Sequence, residues 1–87
     1  MIQVITTKNF DKSFKKKDKS IQDKARERIK LFIEDPFNFL LNNHALTGEY
    51  KNKRSFNVTG DYRIMFYYLD EATVVFSEIG THPELYE

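Results

Sequence analysis

This 87-residue chain has no cysteine and no tryptophan, and only three glycines, two prolines and two histidines. Each scarcity excludes something. Without cysteine there is no disulfide framework, no thiolate nucleophile and no thiolate metal site, a composition that suits a reducing cytoplasm. No apolar run approaches the roughly 20 residues of a membrane-spanning helix. The opening "MIQVITTKNF" lacks the basic region and long apolar stretch of a secretory signal. A cytoplasmic protein without membrane contact is expected. Neither histidine has a close partner at helical ligand spacing, so no metal site is expected from His44, His82 and Asp61, and no cofactor. A large net charge is also missing. Fourteen basic and thirteen acidic residues leave +1, too little for a whole-protein field that draws in nucleic acid. "KKKDK" and "KNKR" are basic only locally.

What is present is globular: 40% hydrophobic residues, 31% charged, with eight Phe and five Tyr. The length allows one domain, residues 1–87, with a small core. "IQVIT" reads as a short strand. Phe10 and Phe14 have helical spacing in "TKNFDKSFKKK", with Thr7 as the N-cap. The clearest helix is "SIQDKARERIKLFIEDP", with Ser20 and Asp23 resembling a capping box. Ile21, Ala25, Ile29, Phe32 and Ile33 form its apolar stripe, and Pro36 stops it. "FNFLLNNHALTGEYKNK" has no clean period; Phe37, Phe39, Leu40 and Leu41 are expected to cover the core from a short turn or helix. Three strands follow, "RSFNV", "YRIMFYYL" and "TVVFSEIG", joined at "TGD" and "DEA". The order β-α-α-β-β-β predicts an α+β fold. Its four-stranded, mainly antiparallel sheet would carry both N-terminal helices on one face, with the first strand beside the final hairpin.

The other face of such a sheet is partly open, and polar residues fall on it. Arg63, Met65 and Tyr67 share one face of their strand. The antiparallel last strand ends at Ile79 and Gly80, beside Tyr62 and Arg63, and His82 follows two residues later. Asp61, Arg63 and His82 should therefore share a neighbourhood. Arg54 and Asn57 come from the adjacent strand, His44 from the loop that enters the sheet, and Tyr86 lies close to His82. Two imidazoles, guanidinium groups, a carboxylate and a phenol suit RNA cleavage. A base takes the 2′-hydroxyl proton, an acid protonates the departing 5′-oxygen, and arginine forks hold the phosphate. Lys51 and Lys53, with Arg54 in "KNKR", are candidate phosphate contacts, and Asn57 a substrate contact. Taken singly, each residue has a plainer reading. Asp61 is a turn residue beside Gly60, Arg63 a surface partner of Asp61 or Glu78, and Tyr86 a packing residue.

Four pieces, "HALTG", "RSFNV", "GDYRI" and "IGTHPELY", in this order over some 43 residues, resemble the C-terminal half of toxins of the RelE/ParE superfamily. The resemblance is nearest to the YafQ-like branch of RelE-type messenger RNA endonucleases. It implies a RelE-like fold and a cytoplasmic toxin of a type II toxin–antitoxin system. Such a toxin is neutralised by a cognate antitoxin and touches operator DNA only through the antitoxin complex. Its substrate would be messenger RNA, cut on the ribosome. His44, Asp61 and His82 match residues of the YafQ-like site. Arg63 matches the arginine that holds the scissile phosphate, and Tyr86 the C-terminal aromatic that orients the substrate. The chain departs from the pattern at Asn57, where the branch has a histidine, at Tyr62 in place of tryptophan, and at Glu78 near an expected arginine. Two other functions fit the same fold. One is a ParE-type poison of DNA gyrase, and the other a catalytically weak partner that binds antitoxin.

Overall fold

The first strand finds its partner at the far end of the sequence. In the computed structural model, which describes residues 2–86, β1 (Gln3–Thr6) runs parallel to β5 (Thr73–Thr81), with Gln3 opposite Thr73 and Thr6 opposite Phe76. Between them come α1 (Lys8–Lys15), α2 (Lys19–Glu34), β2 (His44–Ala45), β3 (Arg54–Asn57) and β4 (Tyr62–Tyr68). Short 3₁₀ turns at Phe39–Leu41 and Gly48–Tyr50 flank β2, and α3 (His82–Tyr86) follows β5. The sheet order is β1-β5-β4-β3-β2, and only β1 is parallel to its neighbour. The expected four strands become five because His44 and Ala45 pair with Ser55 and Arg54. Two residues are too few to show a strand's alternation, so the sequence gives no sign of β2.

The helices begin for different reasons. Thr7 caps α1 as expected: its hydroxyl oxygen accepts from the Phe10 N–H at 3.0 Å. The expected capping box at Ser20 does not form. α2 starts two residues earlier, after Asp18, which makes no side-chain cap bond. The Asp23 carboxylate is taken instead by Lys19 at 3.2 Å and Arg26 at 3.1 Å, both within helical reach.

The core is aromatic. Phe32 of α2 is fully buried and stacks on Phe56 at 4.7 Å between ring centres, with Phe66 edge-on at 4.9 Å and Phe76 at 5.7 Å. Ala25 is also fully buried, while Ile21, Ile29 and Ile33 of the stripe are half-buried. Leu41 reaches the core, but Phe37, Phe39 and Leu40 stay exposed, against expectation. A 3₁₀ turn has three residues per turn, so one of three consecutive side chains points inward.

Past β1, α1 takes over the edge of β5. The Thr7 hydroxyl donates to the Ser77 carbonyl at 2.9 Å, and the Ser13 hydroxyl to the Ile79 carbonyl at 2.8 Å. β5 also carries a bulge. Met65 sits opposite Glu78 and Phe66 opposite Phe76, so Ser77 is the extra residue, and its hydroxyl donates to the Met65 carbonyl at 3.1 Å. The extra residue resets the alternation. Phe76 and Ile79 both join the helix-side core, and Glu78 and Gly80 turn to the other side. Among the described residues no helix is long and apolar enough to cross a membrane.

Candidate active site

Register decides which side chains meet. Asn57 lies opposite Arg63, and Arg63 opposite Gly80; His44 lies opposite Ser55, and Ser55 opposite Met65. Since Phe56, Ile64 and Ile79 belong to the helix-side core, alternation puts His44, Ser55, Asn57 and Arg63 on the opposite face. Polar atoms there lack partners. Arg63 Nε, Asn57 Oδ1 and Ser55 Oγ are buried and make no hydrogen bond. Arg63 forms no ion pair among the described residues, so the reading of it as a surface partner of Asp61 or Glu78 does not hold.

His44 is oriented from behind. Asn42 ends the first 3₁₀ turn in the left-handed region, at φ 47°, a conformation that asparagine tolerates better than most residues. Its carbonyl oxygen lies 2.7 Å from His44 Nδ1. A carbonyl can only accept, so Nδ1 carries the hydrogen and the neutral ring presents Nε2 as an acceptor. Asn43 anchors the same loop. It donates to the Pro36 carbonyl at 2.8 Å and accepts from Arg54 Nε at 2.9 Å.

His82 is placed by a device the sequence reading overlooked. Thr81-His82-Pro83-Glu84 is a capping box for α3. The Glu84 carboxylate accepts from the Thr81 N–H at 2.7 Å and from the Thr81 hydroxyl at 3.0 Å, and the Glu84 N–H donates back to Thr81 Oγ1 at 3.4 Å. The Thr81 N–H, then its hydroxyl, and more weakly the Lys17 ammonium hold the Glu84 pKa below the usual carboxylate range. α3 folds back tightly at this point. A Cβ on Gly80 would stand 3.2 Å from Glu84 Oε1 and 3.3 Å from Leu85 Cδ2. Leu85 is buried and anchors the short helix. His82, its first residue, is thereby exposed beside the end of β5.

Two cavities share these residues. One, of about 380 Å³, is lined by His44, Arg63 and His82, with Thr47, Glu49 and Tyr50 of the connecting loop among its walls. The other, of about 560 Å³, is lined by Asp61, Tyr62, Arg63, His82 and Pro83, among others. Arg63 and His82 stand between them. The structure thus brings His44 to Arg63 and His82 in one cavity and Asp61 to the same pair in the other. Asp61 is exposed, and its N–H donates to Thr59 Oγ1 at 3.2 Å.

Other candidates lie elsewhere. Arg54 shares its strand face with Phe56, on the helix side, where its guanidinium lies 5.4 Å from the Phe37 ring centre and bonds Asn43. The alternation that turns Asn57 toward the open face turns Arg54 away from it. Lys51 and Lys53 follow the second 3₁₀ turn and line neither cavity. The side chain of Tyr86 lies outside the described residues. Among the described residues, no group of three or more histidine, cysteine or carboxylate side chains is placed to hold a metal ion. Asn42, Ser55 and Glu84 join the site unforeseen. Only Glu84 had a sequence signal, the T-x-x-E spacing.

The family model described as bacterial toxin of type II toxin-antitoxin system, YafQ, matches residues 2–87. The crystal structure of YafQ from E. coli strain BL21(DE3) covers all of both chains at 21% identity with a TM-score of 0.82. The E. coli DinJ–YafQ complex does so at 21% identity with a TM-score of 0.78. The RelBE2 toxin–antitoxin complex of Mycobacterium tuberculosis covers 93% of this chain and 98% of the matched one, at 20% identity with a TM-score of 0.77. These likenesses establish the RelE-like fold. No curated protein sequence matches significantly.

Proposed function

The chain belongs to the YafQ family of bacterial type II toxin–antitoxin toxins, and from that premise we propose that it is a metal-independent endoribonuclease. It cuts messenger RNA in the cytoplasm, on the translating ribosome, until a cognate antitoxin covers it. The observation that carries this reading is the placement of His44, Arg63 and His82 around one cavity, with His44 Nε2 left as an acceptor. The DinJ–YafQ and RelBE2 complexes support a protein partner; operator DNA would be reached only through that partner.

In the reaction, His44 Nε2 removes the proton of a ribose 2′-hydroxyl. The 2′-oxygen forms a bond to the adjacent phosphorus, and the phosphorus–O5′ bond breaks. His82 donates the proton that the departing 5′-oxygen takes up. The products are a 2′,3′-cyclic phosphate and a 5′-hydroxyl, and the proton count balances. Arg63, with donors unclaimed by the fold, holds the phosphate oxygens as their charge rises. Asp61 lines the second cavity with Arg63 and His82 and is the carboxylate that supports the acid there. Asn57 can hydrogen-bond there but cannot take a proton, so this chain relies on His44 as base. Glu78, the departure nearest an expected arginine, lines neither of the two cavities that hold Arg63 and His82.

The test is cell-free translation with the purified protein and mapped messenger RNA ends. Codon-spaced cuts that require ribosomes and disappear with His82→Ala support the reading. Cuts on naked RNA would retain the nuclease and remove the ribosome. Intact message with normal synthesis would overturn the reading, and DNA gyrase would become the target to assay.

A further inference from the structure

The chain's excess of positive charge is concentrated away from the candidate active site. Residues 8–19 hold six lysines and two aspartates, while the other 75 residues hold eight basic and eleven acidic side chains. A net charge of +1 therefore describes a basic segment on a mildly acidic body. α1 carries most of that segment along the edge of β5, and the Thr7 and Ser13 hydroxyl bonds fix its rotation. Lys12, Lys16 and Lys17, with Asn9, line a cavity of about 420 Å³ whose other wall includes Glu78 and Glu84.

Three features mark this cavity. Lys12 and Lys16 stand four residues apart, where like charges repel, and neither forms an ion pair among the described residues. The Glu84 carboxylate already accepts from Thr81 and reaches Lys17 only at 3.9 Å, so it neutralises the lysines weakly. Lys17 also links this cavity to the site. Its ammonium lies 5.7 Å from the centre of the Tyr62 ring, and Tyr62 lines the cavity that holds Asp61, Arg63 and His82. A strip of polar surface thus runs from Arg63 and His82, over Tyr62 and Lys17, to Lys16 and Lys12.

We propose that the Lys12–Lys16–Lys17 cavity binds RNA phosphates and extends the nucleic-acid surface of the active site around the end of the sheet. The inference rests on the nuclease reading above. The contact is electrostatic and independent of sequence. The phosphates belong either to the message beyond the cut or to ribosomal RNA.

The experiment compares wild type with the Lys12→Gln/Lys16→Gln double variant, whose melting temperature should match wild type because both residues are exposed. The probe is a short single-stranded RNA with a 2′-deoxy sugar at the cut position, titrated over a range of salt; a parallel arm measures sedimentation with ribosomes. Each lost phosphate contact should lower the slope of log affinity against log salt by about 0.7 on a single strand. A slope reduced by about 0.7–1.4 on the RNA probe assigns the cavity to the message. An unchanged slope with weakened ribosome binding assigns it to ribosomal RNA. Unchanged binding in both arms, with wild type binding and cutting normally, overturns the inference alone. If wild type binds in neither arm and cuts no message in cell-free translation, the nuclease reading falls and the inference with it.

Discussion

Glu84 touches no substrate in the proposed reaction, yet its removal should slow cleavage. Glu84→Ala deletes the acceptor for the Thr81 N–H at 2.7 Å and for the Thr81 hydroxyl at 3.0 Å, together with the distant Lys17 contact. The carboxylate is largely exposed, so the cost belongs on the scale of helix capping, about 1 kcal/mol. That is roughly a fivefold shift between docked and undocked α3. The whole fold need not notice, since among the described residues the core cluster includes none from α3. The expected result is cleavage reduced by up to about fivefold, with a melting temperature lowered by less than about 4 °C. Thr81→Ala should cost less, because the backbone N–H keeps its 2.7 Å bond, and the two changes should not add. The pH dependence has a definite sign. Glu84's folded pKa is depressed, so its contribution is complete above its unfolded value and is lost as pH falls through the folded one. Acid should therefore loosen α3 in wild type, and this component should vanish in Glu84→Ala. Full cleavage by a well-folded Glu84→Ala protein would refute the claim that the capping box holds His82 in place.

Two further outcomes follow from packing. Phe32→Ala empties the centre of the aromatic cluster and should cost about 3–5 kcal/mol in denaturant unfolding; a loss under about 2 kcal/mol would contradict the central role of that ring. Arg54→Ala removes the Asn43 bond and the Phe37 contact, and should lower stability by about 1–2 kcal/mol while leaving cleavage per folded molecule unchanged. A selective loss of cleavage there would return Arg54 to the site.

Much of this architecture was legible because its signals are local. Thr7 capped its helix as its type predicts, and the meander of the last three strands followed from turn residues between apolar runs. The neighbourhood of Asp61, Arg63 and His82 followed from hairpin register alone. Other features depend on contacts that no local pattern encodes. β2 exists only through pairing with β3; Arg54 faces away from Asn57 by the alternation of their strand, which the sequence reading did not apply to it. The bulge at Ser77 resets the alternation of β5 with no glycine or proline to announce it. Asp23 could serve a cap or an ion pair, and Lys19 and Arg26 decided between them. The box at Thr81 and Glu84 was readable from its T-x-x-E spacing.

The most direct test of the proposed chemistry is the structure of the cut ends. Message cleaved by the wild-type protein should carry a 2′,3′-cyclic phosphate or its 3′-phosphate hydrolysis product, opposite a 5′-hydroxyl. A 2′-deoxy sugar at the cut position should abolish cleavage, as should His44→Ala in the folded protein. Ends bearing a 3′-hydroxyl and a 5′-phosphate, or cleavage that persists at the 2′-deoxy position, would contradict attack by the 2′-oxygen and the roles assigned to His44 and His82.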